Sequence, residues 1–138
     1  MRPLRWFRHA AGRTIPLRPK RIANRAIRMV RRRLRKHGTG HLQMAVRDVF
    51  WYGAVDLSPA NCTVWVILRG QDSERLQDPP AKMEAHVLDW LRATRAVILD
   101  EFRNAGWPRD WPTPAIGFES HERIQNSWAK GSYWDNFH

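Results

Sequence analysis

The 138-residue chain lacks most of the features that mark a secreted or membrane-spanning protein. It has one cysteine, Cys62, so no internal disulfide can form and a reducing, cytoplasmic setting is expected. No apolar run approaches the roughly 18–20 residues that cross a bilayer, so we expect no transmembrane segment. The first residues also lack the apolar core of a secretory signal, because positive charge continues to Lys36.

The signatures of common catalytic and metal sites are missing as well. The eight glycines are scattered, which excludes a glycine-rich phosphate-binding loop. No spacing of His, Cys, Asp or Glu residues requires a metal site, and Ser120 lacks the G-x-S-x-G setting of a hydrolase nucleophile. Cys62 falls at the start of a predicted strand, which favours a buried structural thiol over a nucleophile. We therefore predict no metal and no other cofactor.

Acidic residues are absent from the first 40 positions, which hold 14 of the 24 lysines and arginines. The following 98 positions carry 10 basic and 13 acidic residues, so the net charge of +11 divides into a cationic arm and a mildly acidic remainder. This asymmetry is typical of a tail that binds a polyanion. The sequence predicts two regions, a basic arm at residues 1–43 and a compact domain at residues 44–138.

The arm contains a predicted amphipathic helix of about four turns, at about residues 20–36. Pro19 can occupy its first turn and Gly38 can end it. Apolar residues recur every four positions, at Ile22, Ala26, Val30 and Leu34. Arginine suits phosphate because its planar guanidinium donates two parallel hydrogen bonds. The candidate nucleic-acid-binding residues are Arg21, Arg25, Arg28, Arg32 and Arg35.

Three interpretations of the arm are open at this point. In the first, the arginines lie along nucleic-acid phosphates and the apolar stripe docks on the domain or on a partner. Such binding is sequence-tolerant, because no base-reading motif is present. In the second, the helix lies on an anionic membrane, and organelle targeting peptides have a similar composition. In the third, the native chain starts near Met44 and the arm has no biological meaning.

Residues 44–138 predict an α+β fold. Val46–Leu57 and Cys62–Arg69 are rich in β-branched and aromatic residues and predict an antiparallel hairpin. A long amphipathic helix is predicted at Ala81–Asn104. The later elements are a Pro- and Trp-rich loop at Gly106–Pro114, a strand at Ala115–Ser120, a short helix at His121–Trp128 and an edge strand or docked terminus at Ser132–His138. This order predicts a two-layer sandwich, with the long helix on a small antiparallel or mixed sheet, preceded by the basic helical arm.

The aromatic residues of the C-terminal third are the second candidate site. Few lysines or arginines alternate with these rings, which favours a protein partner over an unpaired base. The candidate protein-binding residues are Trp107, Trp111, Trp128, Tyr133 and Trp134. The alternative is that the rings stack together and fill gaps in a small core.

Together these patterns favour a non-catalytic interaction protein. Its domain binds a protein partner, and its arm binds nucleic acid or a ribonucleoprotein. One alternative is a small toxin-neutralising or other inhibitory protein that starts near Met44. Another is a small hydrolase that uses Glu119, His121 and Glu122, which follow a predicted strand and offer acid and base groups.

Overall fold

The fold is seen in a computed structural model that describes residues 6–8, 14–16, 18–37, 42 and 44–127. Its helices and strands, in chain order, are β1 (Trp6–Arg8), β2 (Thr14–Pro16), α1 (Pro19–His37), β3 (Ala45–Tyr52), β4 (Thr63–Arg69), α2 (Ala85–Asn104), β5 (Ala115–Ser120) and α3 (His121–Ser127). Short 3₁₀ segments lie at Pro59–Asn61, Gln71–Gln77 and Pro80–Lys82. The predicted α+β class is confirmed. The predicted terminal strand at Ser132–His138 lies outside the described residues.

Two sheets form within the described residues. β1 and β2 pair antiparallel in a two-stranded sheet of their own. The second sheet is mixed and has the order β3-β4-β5. β3 and β4 pair antiparallel, as the sequence predicts, while β5 lies parallel to β4. Parallel neighbours need a long crossover connection, and the segment that contains α2 provides it.

The central strand β4 is apolar on both faces because both faces are covered. Val64, Val66 and Leu68 point into the main core, whereas Trp65 and Ile67 point to the other face of the sheet. There Ile67 packs with Ile124 of α3 in a smaller cluster. Gly117 of β5 lies directly under Trp65, and a Cβ at this position would overlap the indole ring. Alternate residues of β4 therefore serve two different clusters.

Helix α1 begins and ends within one residue of its predicted limits, and its apolar stripe is buried in the main core. The buried residues of this stripe are Ile22, Ala23, Ala26, Ile27, Val30 and Leu34. They share one cluster with Val49 of β3, Val64 of β4 and Phe102 of α2. The interpretation in which the stripe docks on the domain fits this packing. Helix α1 lies on one side of the boundary predicted at residue 43. The strands and the helix that share its core lie on the other side.

Two predicted element limits differ from the observed ones for local reasons. β3 ends at Tyr52 rather than at Leu57, because Gly53 has a φ of +130° and turns the chain. A Cβ on Gly53 would overlap the carbonyl oxygen of Asn61, so this close approach requires glycine. α2 begins at Ala85 rather than at Ala81, because the preceding segment forms a 3₁₀ turn at Pro80–Lys82.

Candidate nucleic-acid interface

The arginines assigned to nucleic-acid binding from the sequence form one row on the outer side of α1. This arginine row consists of Arg21, Arg25, Arg28, Arg32 and Arg35, and all five residues are exposed. Intervals of four and three residues keep them on one side of a helix with 3.6 residues per turn. That side is opposite the buried apolar stripe. At 1.5 Å per residue the row is about 21 Å long.

All the lysines and arginines of α1 except the exposed Lys36 fall into two sets according to their partners. Three of them lie beside the apolar stripe and form ion pairs with the rest of the fold. These pairs are Lys20 with Asp56 at 3.1 Å, Arg31 with Asp48 at 3.6 Å, and Arg33 with Asp100 at 2.8 Å and Glu101 at 2.9 Å. By contrast, no described carboxylate forms an ion pair with any member of the arginine row. Within the part of the chain that the structure describes, the positive charge of the row is therefore not offset by an ion pair.

Arg33 connects the two helices through a buried carboxylate. Its guanidinium donates to Glu101, whose side chain is only 7% exposed, and to the exposed Asp100. These hydrogen bonds, with that to Glu101 the larger influence, raise the pKa of Arg33. The interaction gives the buried carboxylate of Glu101 a counterion, the guanidinium of Arg33.

A groove of about 1190 Å³ lies between α1 and β3, next to the arginine row. Arg21 and Arg28 belong to both the row and the groove wall, and Arg18 lies at the end of the groove where α1 begins. The first turn of α1 contains no acidic residue, so the positive end of the helix dipole adds to the charge here. Asp56 is the one acidic residue among those described as lining the groove, and it is paired with Lys20.

Arg31 closes part of the open edge of β3. Its Nε donates to the carbonyl oxygen of Val49 at 2.8 Å, and Asp48 Oδ1 accepts from the Val49 N–H at 2.8 Å. Side chains thus satisfy both outward-facing backbone groups of Val49, which prevents another strand from pairing there. Arg31 also lines a second groove of about 300 Å³, together with Arg35 and Arg47. The two grooves therefore meet at Arg31.

Trp51 provides an aromatic surface in the groove of about 1190 Å³. The residue is half-buried, and its Nε1 donates to Asn24 Oδ1 of α1 at 2.8 Å. This bond fixes the orientation of the indole ring beside the guanidinium groups. The sequence alone does not mark Trp51 as a site residue, because a tryptophan in a strand is usually explained by packing. A clue lay in the position of Arg31, which is next to the apolar stripe of α1. An arginine there faces the element that packs on the stripe, and in this fold that element is β3, the strand that contains Trp51.

Of the five residues predicted to bind a protein partner, the structure describes Trp107 and Trp111. Trp107 is 5% exposed, and its ring makes edge-to-face contacts with Phe102 and Trp111 at centroid distances of 5.3 and 5.0 Å. Its Nε1 donates to the carbonyl oxygen of Pro112 at 3.0 Å. Trp107 is therefore a core residue, which corrects the prediction. Trp111 is half-buried, and the other three candidates, Trp128, Tyr133 and Trp134, lie outside the described residues.

Glu119 and Glu122, two of the three candidate hydrolase residues, both contact Ser120 at the junction of β5 and α3. Glu122 accepts from the Gly70 N–H at 3.0 Å, and the buried hydroxyls of Ser73 and Ser120 lie 3.1 and 3.2 Å from its Oε2. Partial burial acts to raise the pKa of Glu122, but these hydrogen bonds and one from its own backbone N–H outweigh burial, and the pKa is lowered.

Glu119, in contrast, lies 3.6 Å from Arg123 Nε, and His121 is half-buried at the start of α3. The groups around Glu122 connect β5 and α3 to the 3₁₀ segment Gln71–Gln77, and their buried hydroxyls offer no open surface to a substrate. Among the described residues, no group of three His, Cys, Asp or Glu side chains is placed to hold a metal ion.

The single thiol is buried in the main core. Cys62 has no exposed surface, and burial raises its pKa to about 12. The thiol is therefore protonated at neutral pH, which is the condition of an unreactive cysteine. The predicted buried position of Cys62 is confirmed.

Comparisons with other proteins give no relative from which a role can be transferred. No family model, no curated protein and no solved structure matches the chain. Among the described helices, none combines the length and apolar character that a bilayer span requires. The function must therefore be argued from the residues of the interface.

Proposed function

We propose that the protein binds nucleic acid through the arginine row of α1, by contacts to the phosphate backbone. The observation that carries this proposal is the division of the α1 cations. The cations beside the apolar stripe are paired with carboxylates, whereas the five arginines on the outer side have no described carboxylate partner. Guanidinium groups in a line about 21 Å long match a regularly charged polymer better than a single small anion.

Nucleic acid is favoured over a membrane because of where the apolar stripe lies. A helix that binds in a membrane interface inserts its apolar side among the lipids. In this protein that side of α1 is buried against β3, β4 and α2. Only the charged side is accessible, so a membrane could be held by electrostatic attraction alone.

The other functions suggested by the sequence have less support. A protein-binding surface of aromatic rings would lack Trp107, because this residue belongs to the core. An inhibitory protein that starts near Met44 would lack α1, and the buried surfaces of Val49 and Val64 would lose part of their cover. A hydrolase that uses Glu119, His121 and Glu122 would need those groups at one accessible site, and Glu122 instead joins structural elements.

The proposal is tested by measuring the affinity of the full chain for fluorescent DNA and RNA over a range of salt concentrations. The double variant Arg25→Gln/Arg32→Gln removes two members of the row that do not line the groove. The matched control is Arg95→Gln/Arg103→Gln, which removes the same charge from exposed positions of α2. Both variants have the same net charge, so a difference between them reports position.

We expect the row variant to bind more weakly and to depend less on salt. Each lost phosphate contact reduces the slope of log K against log salt by about 0.7 for a single strand and 0.9 for a duplex. The control variant should have the slope of the wild type. Equal losses in the two variants would show that only net charge matters and would overturn the assignment to α1. Binding to anionic vesicles with no binding to nucleic acid would assign the row to a membrane surface.

A further inference from the structure

We infer that the groove between α1 and β3 is a subsite for single-stranded nucleic acid, in which an unpaired base stacks on Trp51. This inference rests on the proposed function, because it takes the arginine row as the site for the backbone. It adds a second component, an aromatic surface, and with it a preference for single strands over duplexes.

The geometry of Trp51 suits a stacking surface. The ring lies in the groove wall, half-buried, so one part is supported by the core and another part is accessible. The hydrogen bond from its Nε1 to Asn24 holds the indole in one orientation before any ligand arrives. A ring that is already fixed loses little conformational entropy when a base stacks on it. Every base has a flat π face, so the contact does not depend on sequence.

The surrounding charges suit the phosphates on either side of such a base. Arg21 and Arg28 line the groove and also belong to the arginine row, so the two surfaces are continuous. Neither arginine has a described carboxylate partner, and the one described carboxylate of the groove, Asp56, is paired with Lys20. A backbone that follows the row therefore passes the mouth of the groove, where one nucleotide can turn its base inward.

The groove should favour single strands over duplexes, because a nucleotide fits in its volume and only a single strand has an unpaired base to place there. A space of about 1190 Å³ exceeds the range of roughly 300–1000 Å³ that is usual for small-molecule sites, so a nucleotide fits. A base within a duplex is stacked and paired, and turning it out costs a few kcal/mol. A duplex should therefore contact only the arginine row, whereas a single strand should contact the row and Trp51.

The experiment compares two oligonucleotides of equal length and charge. One is an oligothymidylate, and the other has the same backbone with abasic positions in place of the bases. Stacking of one base on an aromatic side chain corresponds to a factor of about 5 to 150 in affinity. We expect wild-type protein to prefer the oligothymidylate by a factor in this range. An oligouridylate arm distinguishes RNA from DNA as the source of the strand.

Variants of the groove assign this preference to Trp51. Trp51→Leu should remove the preference for bases, and Trp51→Phe, which keeps an aromatic ring, should retain most of it. Asn24→Ala should weaken the preference, because the ring loses its fixed orientation. Trp111→Leu is the matched control, since Trp111 is also half-buried beside arginines but lines a different groove. This control should keep the full preference.

The outcomes separate the subsite from the proposed function. Equal binding of the two oligonucleotides by the wild type would overturn the subsite and leave the arginine row intact. Loss of preference in Trp111→Leu as well as in Trp51→Leu would also overturn it, since the effect would then be general. No binding to either oligonucleotide at low salt would overturn the proposed function itself. The wild-type comparison needs no variant, so a variant that fails to fold does not affect it.

Discussion

The carbonyl oxygen of Val49 accepts a hydrogen bond of 2.8 Å from the guanidinium Nε of Arg31. This bond joins α1 to the outer edge of β3 at the point where the two grooves of the candidate interface meet. The same guanidinium lies 3.6 Å from Asp48, which itself accepts from the Val49 N–H. Arg31 is thus a structural residue, whereas the arginine row beside it has no carboxylate partner among the described residues.

Replacement of Arg31 by methionine should weaken the attachment of α1 to β3. Methionine retains the apolar stem and loses the donor, so the Val49 carbonyl is left without its partner. We expect the free energy of unfolding to fall by about 1–2 kcal/mol, measured by urea denaturation. Arg28→Met is the matched control, and it should change stability by less than about 0.5 kcal/mol because Arg28 has no hydrogen bond or ion pair to another described side chain. Equal effects in the two variants would contradict the structural role of Arg31.

A pair of adjacent residues in α1 tests whether this helix belongs to the cooperative core. Val30 is fully buried, whereas Met29 is 36% exposed. We expect Val30→Ala to cost about 1.5–3 kcal/mol and Met29→Ala to cost less than about 1 kcal/mol. The readout is alkylation of the buried Cys62 in native buffer, which proceeds only when the core opens. If the arm folds apart from the domain, Val30→Ala will leave the alkylation rate unchanged.

Removing Arg33 alone should cost more stability than removing Arg33 and Glu101 together, because the first change leaves a buried charge without its counterion. Arg33→Met leaves the Glu101 carboxylate buried without its counterion and should destabilise the protein more than Asp100→Asn does. The double variant Arg33→Met/Glu101→Leu should recover much of the loss, because no buried charge is then left alone. Thermal unfolding of the four proteins is sufficient for the comparison. A double variant no more stable than Arg33→Met would show that the lone Glu101 carboxylate carries no penalty and would contradict this prediction.

The lowered pKa of Glu122 predicts a dependence of stability on acid. The folded state favours the ionised carboxylate, so this contribution is present above the ordinary carboxylate pKa of about 4.3 and is lost as pH falls through the lower, folded value. In Glu122→Gln that part of the pH dependence should be missing. Urea unfolding of both proteins at neutral pH and at about pH 3 tests this. The stability difference between them should be larger at neutral pH, and a difference independent of pH would contradict it.

Much of the fold could be predicted because local patterns and final packing agree. The four-residue recurrence from Ile22 to Leu34 predicts α1, and the β-branched and aromatic residues of Cys62–Arg69 predict β4. Gly106, with a φ of +102°, follows the end of α2 as its sequence position suggests. These features depend on neighbouring residues, and a single sequence contains that information.

The candidate site could be predicted only in part, because it depends on contacts between distant residues. The arginine row follows from helical spacing, but the partners of Arg31 and Arg33 lie on other elements. Trp107 and Trp51 have the same side chain, and position in the fold alone makes one a core residue and the other part of a groove wall. Composition shows that both are aromatic, but it does not distinguish the core residue from the residue in the groove wall.

The regular spacing of the arginine row has a consequence for the helix itself. Arg21 and Arg25, and likewise Arg28 and Arg32, are one turn apart, and like charges at this distance repel and destabilise a helix by roughly 0.2–0.5 kcal/mol per pair. Dissolved ions weaken that self-repulsion just as they weaken attraction to an outside polymer. Raising the ionic strength should therefore stabilise α1 in the unliganded protein and weaken the binding of any polyanion. Helix stability and binding affinity should thus change in opposite directions as salt is added.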